Sequence, residues 1–144
     1  MALTYNKFQD FVEQLGLREH QLNTDTHRVA LSNTAPVNTN TVLANITQIA
    51  SGNGYTTLGE DAQNTWAEAS GTATLTAAQI VWTGGASAMA AFRYAVYYSN
   101  ATNVTLVNPL IAWWDYGSAI TLQPGETATW KPNSASSGTV FTLT

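Results

Sequence analysis

The chain has 144 residues and no cysteine, which is the length of one domain and excludes disulfide scaffolds, thiolate metal sites and cysteine nucleophiles. Charged residues make up 10% of it and the net charge is −4, with Lys7, Arg18, Arg28, Arg93 and Lys131 spread from end to end, so neither nucleic acid nor an anionic membrane is expected as a partner. No apolar run nears the ~20 residues of a membrane span and no basic start leads into an apolar segment, so a soluble protein made in the cytoplasm is expected.

The first predicted element is a helix over residues 5–17. Phe8, Phe11, Val12 and Leu15 fall at i, i+3, i+4 and i+7, one apolar stripe with polar residues between, and Gly16 is a plausible stop. A helix this short must dock its stripe on something. Residues 27–32 read as a strand broken by Asn33-Thr34-Ala35-Pro36. Helical spacing returns at Val42, Leu43, Ile46 and Ile49, which predicts a second helix over residues 40–50 with Asn40 as its cap and Ser51-Gly52-Asn53-Gly54 as its end.

From Tyr55 onward the period is two. Strands are predicted at residues 66–69, 71–76, 79–83, 92–98, 105–107, 110–116, 118–122, 127–131 and 140–144, at the spacing of a sandwich. Thr121 to Thr127 reads as strand, Pro124-Gly125 turn, strand, a tight antiparallel connection. Residues 133–138 are the most linker-like stretch and too short to divide domains. The expected architecture is one domain over 1–144, mainly β: an antiparallel, jelly-roll-like β-sandwich over 55–144 with one or two short N-terminal helices, the first within 1–22.

Chemistry-bearing patterns are thin. His20 and His27 are the only histidines and have no Gly-x-Ser-x-Gly elbow to serve, so they read as turn or surface residues. Two histidines without an i, i+4 pairing and without cysteine offer little to zinc. Glu60, Asp61, Glu68, Asp115 and Glu126 give no carboxylate pair that the spacing itself brings together. Gly52-Asn53-Gly54 lacks the lysine and the following helix of a phosphate cradle, so it reads as a turn needing positive φ. Trp113-Trp114-Asp115-Tyr116 is the most unusual string. Consecutive strand residues face opposite ways, so one tryptophan is expected in the core and the other toward a neighbour or solvent, with Asp115 as a turn residue closing its strand. Asn45-Ile46-Thr47 and Asn103-Val104-Thr105 match a glycosylation sequon and carry little weight alone.

Four strings taken together carry a resemblance: His27-Arg28-Val29-Ala30-Leu31-Ser32-Asn33-Thr34-Ala35-Pro36, Asn45-Ile46-Thr47 with Ala50-Ser51-Gly52-Asn53-Gly54-Tyr55, Phe92-Arg93-Tyr94-Ala95-Val96-Tyr97-Tyr98, and Pro109-Leu110-Ile111-Ala112-Trp113-Trp114-Asp115-Tyr116-Gly117. In order, and over nearly the whole chain, they resemble a family of small tailed-bacteriophage virion proteins associated with capsid decoration, or cement. The glycine pair usual in that family after Gly54-Tyr55-Thr56 stands here as Leu58-Gly59. The resemblance implies a non-enzymatic structural protein, with no catalytic residue, cofactor or metal, that binds the major capsid protein on the outer capsid surface after synthesis in the host cytoplasm. The alternatives are a receptor- or carbohydrate-binding module of a tail or head fibre, and a tail or connector component. Sparse charge and the Trp113–Trp114 pair favour a homo-oligomer, a trimer before a dimer. The expected interface anchors are Phe8, Phe11, Val12 and Leu15 on the helix and Trp113, Trp114 and Tyr116 on the strand.

Overall fold

Alternating residues from Tyr55 onward fold as strands, and they do so around an earlier strand that lies among them. The computed structural model describes residues 3–133 and 137–144; residues 134–136, within the linker-like stretch, lie outside the described residues. In chain order the elements are β1 (Thr4–Lys7), α1 (Asp10–Gly16), β2 (His27–Ser32), a single 3-10 turn (Leu43–Asn45), β3 (Glu60–Asp61), β4 (Thr65–Ala69), β5 (Thr72–Ala78), β6 (Ile80–Thr83), β7 (Phe92–Ser99), β8 (Leu110–Ile120), β9 (Thr127–Trp130) and β10 (Ser137–Leu143). The central sheet runs β1-β8-β7-β2-β3, and it faces a second layer made of β10-β5-β4 and β6-β9. Every pairing is antiparallel. The fold is mainly β and sandwich-like, with one α-helix among the described residues.

The second layer is one long ladder with a kink. β5 pairs with β10 from Ala73–Leu143 to Ala78–Ser137, and β6 resumes with β9 at Ile80–Trp130 after Gln79 alone. The β4–β5 turn is a two-residue hairpin, with Ser70 at φ 52° and Gly71 at φ 82°, the left-handed pair that matches the twist of the flanking strands.

Two cores result, one on each face of the central sheet. On one face Val29, Leu31, Ala95, Tyr97, Trp114 and Tyr116 meet Leu75, Ile80, Trp82 and Trp130 of the second layer. The rings interlock: Trp114 stands edge-on to Trp130 at 5.0 Å, and Tyr97 stacks on Trp130 at 5.9 Å. On the other face Ala30, Tyr94, Val96, Tyr98 and Trp113 are covered by Phe8, Leu43 and Ile46. Antiparallel sheets commonly leave one face to water. Here an irregular strap over residues 33–59 takes that place.

This second core corrects several expectations. Residues 5–17 are not one helix: residues 4–7 pair with β8, and only Asp10–Gly16 is helical. The apolar stripe divides, because Phe8 packs on Trp113 at 4.6 Å on one side of the sheet while Phe11 meets Phe141 at 5.3 Å on the other. Residues 40–50 form no helix beyond the 3-10 turn; their helical spacing reflects a strap dropping Leu43 and Ile46 into one core and Ile49 into the other. Asn40 is not a helix cap: its Oδ1 accepts from the Val37 N–H at 2.8 Å, while Asn45 Oδ1 takes the Thr41 and Val42 N–H groups. Gly52-Asn53-Gly54 ends no helix, but it is the positive-φ turn expected, closed by mutual bonds between Gly52 and Tyr55.

Further along, residues 105–107 are a loop rather than a strand, and residues 118–120 continue β8 past a bulge that opens between Asp115 and Ile120. Pro124-Gly125 does turn the chain, yet residues 127–130 pair with β6 and not with the strand before the turn. Asp115 begins the bulge instead of closing its strand. Its Oδ1 accepts the Gly117 N–H at 2.7 Å, and its carboxylate forms a two-pronged ion pair with Arg93 at 2.7 and 2.9 Å.

Candidate binding surface

The strongest construction outside the cores begins at the end of α1. Arg18 adopts φ 65°, the Glu19 N–H bonds back to the Gln14 carbonyl at 3.0 Å and the Arg18 N–H to Leu15 at 3.3 Å. This is a Schellman ending with arginine where glycine is usual. It turns the chain inward, so that Glu19 is buried at 2% exposure.

Glu19 is buried because the loop between β7 and β8 brings it donors. Its carboxylate accepts the N–H groups of Val104 at 3.3 Å, Thr105 at 2.8 Å and Leu106 at 3.0 Å, together with the Thr105 hydroxyl at 2.7 Å. Burial pushes the Glu19 carboxyl up, but the Thr105 hydroxyl and the three backbone donors outweigh it and hold the group below the usual range. A second buried acid, Asp25, accepts the Ser99 hydroxyl at 2.5 Å, the Gln21 N–H at 2.8 Å and, with its two oxygens, the Asn103 Nδ2 group at 2.8 and 3.0 Å. Two carboxylates thus hold the middle of a loop whose ends are closed by backbone bonds, such as the Asn108 N–H to the Ala101 carbonyl at 2.9 Å.

The histidines lie beside this pair and are buried, not exposed. His27 is fully buried with Nδ1 2.9 Å from the Tyr97 hydroxyl, and His20 is 4% exposed with its ring edge-on to Phe11 at 5.0 Å. Burial lowers both to about 4, against the opposing pull of Asp25 on each, so both rings are neutral at pH 7. Among the described residues neither ring is hydrogen-bonded to a serine. Among the described residues no three His, Asp or Glu side chains converge as a metal site.

Beside Thr102 and Thr105, the clamped loop offers two apolar side chains to solvent. Val104 is 52% and Val107 60% exposed. On one side lies a cavity of about 550 Å³ walled by Leu15, Leu22, Trp66, Val104 and Leu143, with Arg18, His20, Gln21, Asn23 and Asn103 at its polar side. On the other, a groove of about 450 Å³ runs between Leu106, Val107 and the strap residues Val42, Ala44 and Leu58. Leu58 holds φ 78° with its side chain 40% exposed. Its carbonyl is fixed by the Tyr98 hydroxyl at 2.7 Å and Arg28 Nε at 3.2 Å, so the strained backbone is held from below.

The expected anchors fall elsewhere. Phe8, Phe11, Trp113, Trp114 and Tyr116 are all buried within the chain. The two tryptophans do face opposite ways, but both are buried at 7% and 1% exposure, because the strap covers the face that was expected to be open. Val12 is exposed, and Leu15 is half-buried at the cavity wall. Glu60, Asp61, Glu68 and Glu126 are exposed, and Asp115 is committed to Arg93. Sequence reasoning missed Glu19 and Asp25. The signal available was context: Leu17-Arg18-Glu19-His20 places an acid between an apolar residue and a histidine in a chain with only nine acids. No family model, curated protein or solved structure matches the chain.

Proposed function

We propose that this chain is a non-enzymatic virion structural protein that decorates a bacteriophage capsid by binding the major capsid protein on its outer surface. The observation that carries this reading is the loop of residues 100–109: buried Glu19 fixes its backbone and buried Asp25 holds its Asn103 side chain, while Val104 and Val107 stand out to solvent between two grooves. Such a loop is pre-organised, so apolar docking does not cost the ordering of a flexible segment. Its contacts are insensitive to salt, as attachment to a particle surface requires. The resemblance in the sequence supports the same assignment.

Purified virions test it. Cryo-microscopy and gel densitometry are expected to find the protein in many copies over the shell, and Val104→Ser with Val107→Ser is expected to lower occupancy while leaving Tm unchanged. A copy number of about six or twelve, the count of a single ring, would place it on the tail and overturn the reading.

One observation favours a second reading, a carbohydrate-binding module. Trp66 is half-buried at the wall of the 550 Å³ cavity, and the Arg18, Gln21, Asn23 and Asn103 side chains line the same space. An indole face beside planar polar groups suits a sugar ring. Glycan-array binding that is lost in Trp66→Ala would select it.

A further inference from the structure

Every sheet ends somewhere, and most ends in this fold are protected. β1 ends on Lys7, and β3 consists of two acidic residues. β10 is bulged between Thr139 and Phe141, with Phe11 packed on Phe141. At β6 the strap lies so close that a Cβ on Gly54 would come within 1.9 Å of the Thr83 carbonyl oxygen. At β9 the Thr129 carbonyl accepts the Tyr116 hydroxyl at 3.0 Å. These are the usual devices that prevent strand edges from pairing: charge, shortness, bulge and cover.

β4 has almost none of them. Its five residues, Thr65-Trp66-Ala67-Glu68-Ala69, contain no lysine, proline or bulge, and all but Trp66 are exposed. The two-residue turn makes Ala69–Thr72 a hydrogen-bonded pair, so Ala67–Thr74 and Thr65–Thr76 are hydrogen-bonded pairs as well. Trp66 and Glu68 therefore turn their N–H and C=O groups to the open side. Among the described residues no turn or loop bond reaches them.

We propose that two copies of this chain pair antiparallel through β4 about a twofold axis at Ala67. The register follows from which groups point outward. An axis at Ala67 sets Trp66 of one copy against Glu68 of the other, and these are the two residues with free backbone groups, so four N–H···O=C bonds form with none left over. Thr65 then faces Ala69, and Ala67 faces Ala67 as a non-hydrogen-bonded pair with Cα atoms about 4.5 Å apart. The edge is complementary to itself, which is why a second copy is its partner. The three strands β10-β5-β4 become half of a six-stranded sheet, within the common size. The interface is isologous, a dimer in place of the trimer expected from composition. One repulsion opposes it: the two Glu68 side chains become diagonal neighbours about 7–8 Å apart. The pairing holds whether or not the protein coats a virion.

Single cysteines test the register, because the chain has no other thiol. Ala67→Cys, Thr65→Cys and Ala69→Cys all lie at exposed positions. Under mild oxidation Ala67→Cys is expected to give a covalent dimer at least tenfold faster than either of the others, while Thr65→Cys with Ala69→Cys in one chain recovers the cross-link. In sedimentation equilibrium Ala67→Asp, which places two like charges face to face, is expected to weaken self-association at least tenfold, and Glu68→Gln to strengthen it. Equal cross-linking at the three positions, or wild-type protein that stays monomeric while Ala67→Cys does not cross-link, overturns the proposal.

Discussion

Thr105 gives both of its donors to a single oxygen of Glu19, the backbone N–H at 2.8 Å and the hydroxyl at 2.7 Å, across 86 positions of sequence. Charge-assisted bonds of this kind are about twice as strong as neutral ones, and losing the acceptor leaves three N–H groups without their partner. Glu19→Ala is therefore expected to destabilise the protein by about 3 kcal/mol. Glu19→Gln, which keeps one acceptor and loses the charge, is expected to cost less. Thermal unfolding measures both, and hydrogen exchange at Val104, Thr105 and Leu106 should accelerate in each variant before exchange elsewhere. Unchanged exchange at those three amides would mean that something other than Glu19 holds the loop.

Acid lability should begin early. His20 and His27 titrate near 4 when folded and near 6.5 when unfolded. Above 6.5 neither state holds the proton, and their full contribution to stability is present. As the pH falls from 6.5 to 4 the unfolded chain binds protons that the folded chain refuses, so stability drops by about 1.4 kcal/mol per pH unit for each ring. Glu19 and Asp115, both lowered, add a further loss as the pH falls below the ordinary carboxylate range. A chemical-denaturation series from pH 8 to pH 3 should show this slope, and His20→Phe should remove about half of the part between 6.5 and 4. A flat profile from pH 7 to pH 5 would contradict the neutral burial of both rings.

Adjacent substitutions in the strap should have opposite signs. Leu58 pays a left-handed backbone cost at φ 78° while its side chain stays 40% exposed, so Leu58→Gly is expected to stabilise by up to about 1 kcal/mol. Gly59, at φ 70°, has Val29 against it: a Cβ there would lie 1.8 Å from the Val29 carbonyl oxygen. Gly59→Ala is expected to cost about 3 kcal/mol or more, since the obstacle is strand backbone. Comparing the denaturation midpoints of the two variants settles the pair.

The Arg93–Asp115 ion pair should matter little. The two side chains are 37% and 26% exposed, and pairs of that exposure contribute little, because water and salt screen them. Arg93→Ala is expected to change the denaturation midpoint only slightly, and less still in 1 M salt, where screening acts within about 3 Å. A large drop in the midpoint would mean that Arg93 anchors the β8 bulge and not just one carboxylate.

Most strands were legible and the first helix was legible in place but not in extent, while the second was misread, for one physical reason. A strand within a sandwich alternates because its neighbours on the inner face are the same along its length, so residues 72–78 and 92–99 announce themselves. Helical spacing is less specific. Phe8 and Phe11 keep the interval of a helix although they lie on opposite sides of a sheet, and Leu43 and Ile46 keep it in a strap that is almost wholly irregular. The burial of both Trp113 and Trp114 needed knowledge of that strap. Glu19 and Asp25 were hidden for a different reason: apart from the Gln21 N–H on Asp25, their donors come from Ser99 to Leu106, and local context marks an acid only weakly when most of its partners are distant in sequence.

The pairing of β1 with β8 also sets a schedule for synthesis. Thr4 is matched to Asp115 and Lys7 to Ala112, so the first strand made has no partner until more than a hundred further residues have been added. At about 5–20 residues per second that interval is on the order of 5–20 s. For that time Phe8 has no Trp113 to cover it, and β2 waits similarly for β7. Before Leu110 is made the chain can already pair β4 with β5 and β2 with β3 and β7, while β1 still lacks β8. A ribosome pause before Leu110 would lengthen the exposure of this N-terminal apolar segment, the stage at which a chaperone has the most to protect.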